Sequence, residues 1–228
     1  MNFNILKWAA GVLIAGQLFF LAVDRIYGKG IELESFNPTY ITYATVEEST
    51  TETEELRVQV SFKATLFSSV KLGYNQRFRW EIYESSAPIH DIDFNPSVFI
   101  ESKHFDAGYE HESNGLDLEE SRSWERLFIV NKYKHDMFFL NIKAWHPFFL
   151  NENNGIIDYQ GKGEFQGGVD TGKIKLSGTF RINFSKIEAS YNLGDFYIYT
   201  QVFNGFGPQI IEFDQERHIN MVGVALTN

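Results

Sequence analysis

His111 and Ser113 stand two residues apart in the segment Phe105-Asp106-Ala107-Gly108-Tyr109-Glu110-His111-Glu112-Ser113-Asn114-Gly115. On a β-strand, side chains at i and i+2 share one face with Cα atoms about 6–7 Å apart, from a rise of about 3.3 Å per residue. That spacing lets an imidazole reach a hydroxyl. A serine hydroxyl is a poor nucleophile at neutral pH. It needs a base to take its proton, and the base needs an acceptor that fixes its tautomer and stabilises the imidazolium. His111 is the candidate base, Ser113 the candidate nucleophile, and Glu125, in the run Ser121-Arg122-Ser123-Trp124-Glu125-Arg126, the candidate acceptor. The Asn114-Gly115 turn can offer backbone N–H groups to an oxyanion, because glycine lets the chain approach a substrate closely. An isolated H-x-S is a common accident of sequence, so its placement matters. Phe105, Ala107 and Tyr109 form the apolar parity of the segment, and His111 and Ser113 continue that parity at its end.

The elements that must position these residues read as strands. Beyond residue 30 no window repeats its apolar residues at helical spacing over three turns, whereas period-two alternation recurs throughout. Leu56, Val58, Val60, Phe62, Ala64 and Leu66 share one parity against Arg57, Gln59, Ser61, Lys63 and Thr65. Val70, Leu72, Tyr74, Gln76, Phe78, Trp80 and Ile82 repeat the pattern, as do Ile174, Leu176, Phe180, Ile182 and Phe184. Turn signals fall at Ser68-Ser69, Ser85 to Pro88, Lys134 to Asp136, Asn151 to Gly155, Asp170 to Gly172, Ser185-Lys186, Gly194-Asp195 and Gly207-Pro208. Runs between these breaks number about twelve, at the roughly ten-residue spacing of a transmembrane barrel. The expected fold is therefore all-β, a twelve-stranded antiparallel transmembrane β-barrel over residues 31–228. A soluble β-sandwich also alternates, but long strands, a heavily charged polar parity and an export segment favour the barrel. Aromatic residues near run ends, namely Tyr40, Tyr43, Trp80, Tyr83, Trp145, Tyr197 and Tyr199, are expected to form interfacial girdles.

Composition narrows the functional classes. The chain of 228 residues fits one domain, and its net charge of −10, with no Lys/Arg cluster, argues against a nucleic-acid partner. Having no cysteine, it has no disulfide, thiolate metal site or cysteine nucleophile. Residues 1–30 read as a signal peptide, with a retained hydrophobic anchor as the alternative. The apolar run Trp8 to Val23, broken only by Gln17, falls short of the roughly 20 residues a spanning helix needs. Gln76 alone breaks an apolar parity in mid-strand, where it would face lipid. It reads either as a polar residue turned toward a neighbouring strand or as half of a hydrogen bond across a subunit interface.

The string Gly108-Tyr109-Glu110-His111-Glu112-Ser113-Asn114-Gly115, followed by Ser121-Arg122-Ser123-Trp124-Glu125-Arg126-Leu127, resembles the signature of the outer-membrane phospholipase A family. Supporting stretches are Glu84-Ser85-Ser86-Ala87-Pro88, Phe94-Asn95-Pro96, Lys143-Ala144-Trp145 and Tyr199 to Gly207, and the similarity runs from about Asn37 to Leu226. The resemblance implies a barrel in the bacterial outer membrane whose outer wall carries a Ser-His pair hydrolysing phospholipid acyl esters, dependent on calcium and on dimerisation. Carried over by position, His111 is the base, Ser113 the nucleophile and the Gly115 amide an oxyanion donor. Calcium would be held by the hydroxyls of Ser121 and, across the dimer, Ser86, with the backbone carbonyl of Leu116 and waters. The resemblance also places Gln76 at the dimer interface. Glu125 stands where the family commonly has Asn, Leu116 where an Arg usually follows the oxyanion Gly, and the chain ends Leu226-Thr227-Asn228 in place of a terminal aromatic. A rival function is a non-catalytic barrel, a small porin or structural protein that keeps the family sequence without its chemistry.

Overall fold

The computed structural model describes residues 33–48, 51–83, 89–116, 121–148 and 155–226. The expected export segment 1–30 and the candidate calcium ligand Ser86 lie outside the described residues. Twelve long strands follow one another: β2 (Tyr40–Glu48), β3 (Thr51–Phe67), β4 (Val70–Trp80), β5 (Ile89–Glu101), β6 (Phe105–Ser113), β7 (Ser123–His135), β8 (Phe138–Phe148), β9 (Gly163–Asp170), β10 (Ile174–Arg181), β11 (Phe184–Asn192), β12 (Phe196–Phe206) and β13 (Glu216–Leu226). Each pairs antiparallel with its sequence neighbours, and β13 pairs with β2, so the sheet closes. A short leading strand, β1 (Leu33–Glu34), pairs with Ala64 and Lys63, where β3 extends beyond β2. Closure leaves no open edge, which a sheet in hydrocarbon requires because lipid cannot satisfy backbone N–H and C=O groups.

The outward parity is apolar and exposed, as at Val98, Leu127, Ile129, Ile142, Leu176 and Val222. At one end the strands join by short turns, at Ser68-Ser69, 102–104, Asp136-Met137, 171–173 and 193–195. The opposite end carries longer connections after β4, β6, β8 and β12, and there the barrel is stoppered from within. The helix α1 (Ile156–Gln160) and the 3-10 turn Ile210–Glu212 fold inward, so Ile156, Ile210 and Phe213 pack with Phe99, Trp124, Phe128 and Trp145. Below this plug the lumen holds a cavity of about 690 Å³ lined largely by polar and charged side chains, among them Arg57, Gln59, Lys143, Glu164, Lys186 and Glu188.

Two sequence expectations need correction. Tyr40, Trp145, Tyr197 and Tyr199 do not form a girdle but face the lumen. Tyr40 stacks on Tyr199 with ring centroids 5.0 Å apart, Tyr197 packs on the same cluster, and Trp145 meets Trp124 edge-on. The cause is parity, since Trp145 shares its face with the inward Lys143, and Tyr199 with Gln201. The turn expected at Ser185-Lys186 lies three residues earlier, at Ile182-Asn183, where Arg181 pairs with Phe184. A two-residue hairpin carries the same numerical alternation into the next strand while moving it to the other face. Phe180 accordingly faces out, whereas Phe184 packs inside against Phe203.

Candidate active site

The β6–β7 ladder brings the candidate residues together. His111 lies opposite Glu125, Glu112 opposite Trp124 and Ser113 opposite Ser123. Directly opposite residues on one face have Cβ atoms about 4.5–5.5 Å apart, so a His-Glu pair there can bond without distorting the strands. His111 Nδ1 and Glu125 Oε1 are 3.1 Å apart, with side chains 30% and 20% exposed. This contact leaves the other ring nitrogen, Nε2, for a hydroxyl on the same face. Ser113, two residues on, ends β6 on that face. Next to the pair the Tyr109 and Phe148 rings pack at 6.1 Å, and Leu127 is exposed beyond them. The trio thus lies at the rim of the apolar band, at the barrel end that bears the long loops.

The inner face explains why the strand holds its line here. Pro96 lies opposite His111 in the register that pairs Phe94 with Ser113 and Ser97 with Glu110. Proline has no N–H to give the ladder. The side chain of Asn95 replaces it, its Nδ2 donating to the His111 carbonyl at 2.8 Å. Glu112 points inward and accepts from Arg77 Nη2 at 2.7 Å, Trp124 Nε1 at 3.0 Å and Arg126 Nη2 at 2.8 Å.

Beyond Ser113 the chain turns at Asn114, whose Oδ1 accepts from the Arg122 N–H at 2.9 Å and the Leu116 N–H at 3.4 Å. The Asn114 N–H donates to the Arg122 carbonyl at 3.0 Å, stitching the loop to the start of β7. Gly115 follows with φ +65°, a left-handed conformation that glycine adopts without penalty. A Cβ there would also meet the Phe94 ring at 3.0 Å. Backbone geometry that a larger residue would disturb therefore fixes its amide two residues beyond Ser113.

Ser121 and Leu116 flank this same stitched loop. Among the described residues no three His, Asp, Glu or Cys side chains gather in a way that could hold a metal. Calcium accepts hydroxyl and carbonyl oxygens and completes its shell with water, so the Ser121 hydroxyl and Leu116 carbonyl suit it as part of a ligand set. Gln76 faces outward on β4, between Val60 and Phe94, and its Oε1 accepts from the Tyr74 hydroxyl at 3.1 Å. That bond uses one amide oxygen and leaves the amide NH2 to be satisfied elsewhere.

Sequence reading assigns no role to Asn95 or Glu112, and marks Asn114 as a turn residue without the bonds its side chain makes to the Arg122 and Leu116 N–H groups. Parity alone would have placed Glu112 on the charged inner face opposite Trp124. Its bond to Arg77 depends on barrel curvature and has no local signal.

The fold and the apolar outer wall define a bacterial outer-membrane β-barrel. The chain belongs to the phospholipase A1 family, whose model matches residues 31–226. A phospholipase A1 of Proteus vulgaris is 25% identical over 203 residues, covering 77% of this chain and 70% of the relative. A phospholipase A1 of Escherichia coli K12 is likewise 25% identical over 203 residues, with the same coverage. Outer membrane phospholipase A from Escherichia coli superposes with a TM-score of 0.79 at 22% identity, covering 86% of this chain and 92% of that one. The Salmonella typhi outer membrane phospholipase dimer with bound calcium gives a TM-score of 0.79 at 22% identity, covering 86% and 93%.

Proposed function

We propose that this barrel hydrolyses the acyl esters of phospholipids from its lipid-facing wall, with Ser113 as nucleophile, His111 as base and Glu125 as the group that orients the base. The observation that carries the reading is the 3.1 Å contact of His111 Nδ1 with Glu125 Oε1, beside Ser113 on one outward strand face. Ser113 Oγ attacks the ester carbonyl carbon as His111 Nε2 takes its proton. The tetrahedral intermediate then collapses, and the same proton goes to the departing lysophospholipid oxygen. Water, deprotonated by His111, attacks the acyl-enzyme, releasing the fatty acid and restoring Ser113. Glu125 accepts a hydrogen bond from His111 Nδ1–H, which holds that tautomer and stabilises the imidazolium. The Gly115 N–H donates to the oxyanion where charge develops.

Activity requires calcium and a homodimer in this reading. The ion would be held by the Ser121 hydroxyl, the Leu116 carbonyl and Ser86 of the partner subunit, and would supply positive charge near the oxyanion. Gln76 sits in the subunit interface, where its amide meets its counterpart. Residues 1–30 serve as the export segment, and residues 31–228 form the catalytic barrel. Both acyl positions of the phospholipid, and lysophospholipids, are substrates in this scheme. The test is covalent labelling of the refolded protein with a sulfonyl fluoride, followed by peptide mapping. Modification at Ser113, lost in His111→Ala, is the expected result. A barrel that stays unlabelled would favour the non-catalytic reading.

A further inference from the structure

Glu112 lies between the proposed base and nucleophile yet faces away from both, into the lumen. Its carboxylate is the meeting point of three donors from two other strands. Oε1 accepts from Arg77 Nη2 on β4 at 2.7 Å, while Oε2 accepts from Trp124 Nε1 at 3.0 Å and from Arg126 Nη2 at 2.8 Å on β7. Trp124 is 1% exposed, and the Arg126 guanidinium lies 3.9 Å from the centre of its ring, so these donors are themselves fixed. Arg77 also donates to Asp93 Oδ2 at 2.9 Å and to the Pro208 carbonyl at 3.2 Å, which ties it to the loop carrying the Ile210–Glu212 plug.

We infer that Glu112 is a positioning residue for the Ser113-His111 pair, clamping the end of β6 from inside the barrel so that both outward groups keep the spacing proton transfer needs. The inference rests on the function proposed above. The strand end needs such a clamp, because its ladder to β5 is interrupted at Pro96 and the chain turns away after Ser113. Besides the ladder to β7 and the Phe94–Ser113 pairing with β5, residues 111–113 are held on the outer face by the His111–Glu125 contact and from the inside by the Asn95 amide and the Glu112 carboxylate. A displacement of about 1 Å in a reacting group can cost on the order of 100-fold in rate, so a loosened strand end reads out in catalysis before it reads out in binding. Charge matters as much as length. Glutamine fills the same volume, but its NH2 must point at either Arg77 or the Trp124-Arg126 pair, opening one side of the clamp.

The experiment uses the refolded full chain in detergent with saturating calcium and compares Glu112→Gln with wild type, Ser113→Ala and the control Glu188→Gln. Glu188 is another lumen carboxylate, held by Lys186 and Tyr199 on the β11–β12 wall away from the site. Turnover and apparent KM on phospholipid mixed micelles are read with the rate of Ser113 sulfonylation, each per folded molecule from the heat-modifiable gel band. Glu112→Gln should lose roughly 10- to 100-fold in both kcat and sulfonylation rate, with apparent KM within about twofold. Glu188→Gln should match wild type in both rates. Wild-type rates in folded Glu112→Gln, or an equal loss in Glu188→Gln, would overturn the inference. Undiminished turnover in Ser113→Ala would instead overturn the function on which it rests.

Discussion

Glu125 is the residue whose identity most affects the proposed chemistry. A carboxylate accepts a hydrogen bond from the Nδ1–H of His111 and also stabilises the imidazolium through its charge, whereas an amide would offer only the hydrogen bond. Glu125→Ala should lose less activity than removal of the nucleophile or base, by roughly one to two orders of magnitude, because the third member does not take part in bond making. Glu125→Gln and Glu125→Asn should each retain more turnover than Ala. Steady-state kinetics on the three variants checks this order, and an Ala variant with wild-type kcat would remove Glu125 from the site. Much of this site was legible in the sequence. Parity put His111 and Ser113 on one outward face, and the next run supplied Glu125 opposite. What stayed hidden was the support from behind, since Asn95, Glu112 and Arg77 are brought together by strand pairing across a closed wall.

Individual strands behave as two-faced elements, and the solvent on each face sets the cost of a substitution. Ile129 projects outward from the middle of β7 and is 51% exposed to the surroundings of the barrel. In a water-soluble sheet Ile129→Arg would change stability within about ±0.5 kcal/mol. In a bilayer the same change should cost about 2–4 kcal/mol, as expected for a cation near the midplane. Folding titrations in urea with lipid vesicles distinguish the two. Gln76 on β4 presents the opposite case, an amide placed where the alternation calls for an apolar side chain. Gln76→Ala should weaken dimerisation by about 0.5–2 kcal/mol, the range of a polar contact between membrane segments, as read by sedimentation equilibrium in detergent. An unchanged association constant would leave Gln76 with only its intrasubunit bond to Tyr74. Alternation made the strands readable but not which solvent an aromatic ring meets. Trp145 and Tyr199 sit near strand ends like girdle residues, yet they follow the inward parity of Lys143 and Gln201.

At the scale of the whole molecule, lipid surrounds the proposed active site, and in the function proposed above activity is gated by assembly. Calcium shared between Ser121, the Leu116 carbonyl and Ser86 of the partner subunit would link the metal and dimer equilibria. Chelation should therefore lower turnover and shift sedimentation toward monomer together across one calcium titration. Full activity from a monomer in excess chelator would contradict both the ion's role and the dimer requirement. Beneath that regulation lies the claim that an outward-facing serine on a barrel wall cleaves phospholipid. It is tested most directly by measuring fatty-acid release from phospholipid in detergent micelles, with calcium, by the refolded protein and by Ser113→Ala. The account predicts steady release by the wild type and a loss of at least roughly 1,000-fold in a Ser113→Ala barrel that migrates as folded. Equal release by the two proteins, or none by a folded wild-type dimer with calcium present, would contradict it.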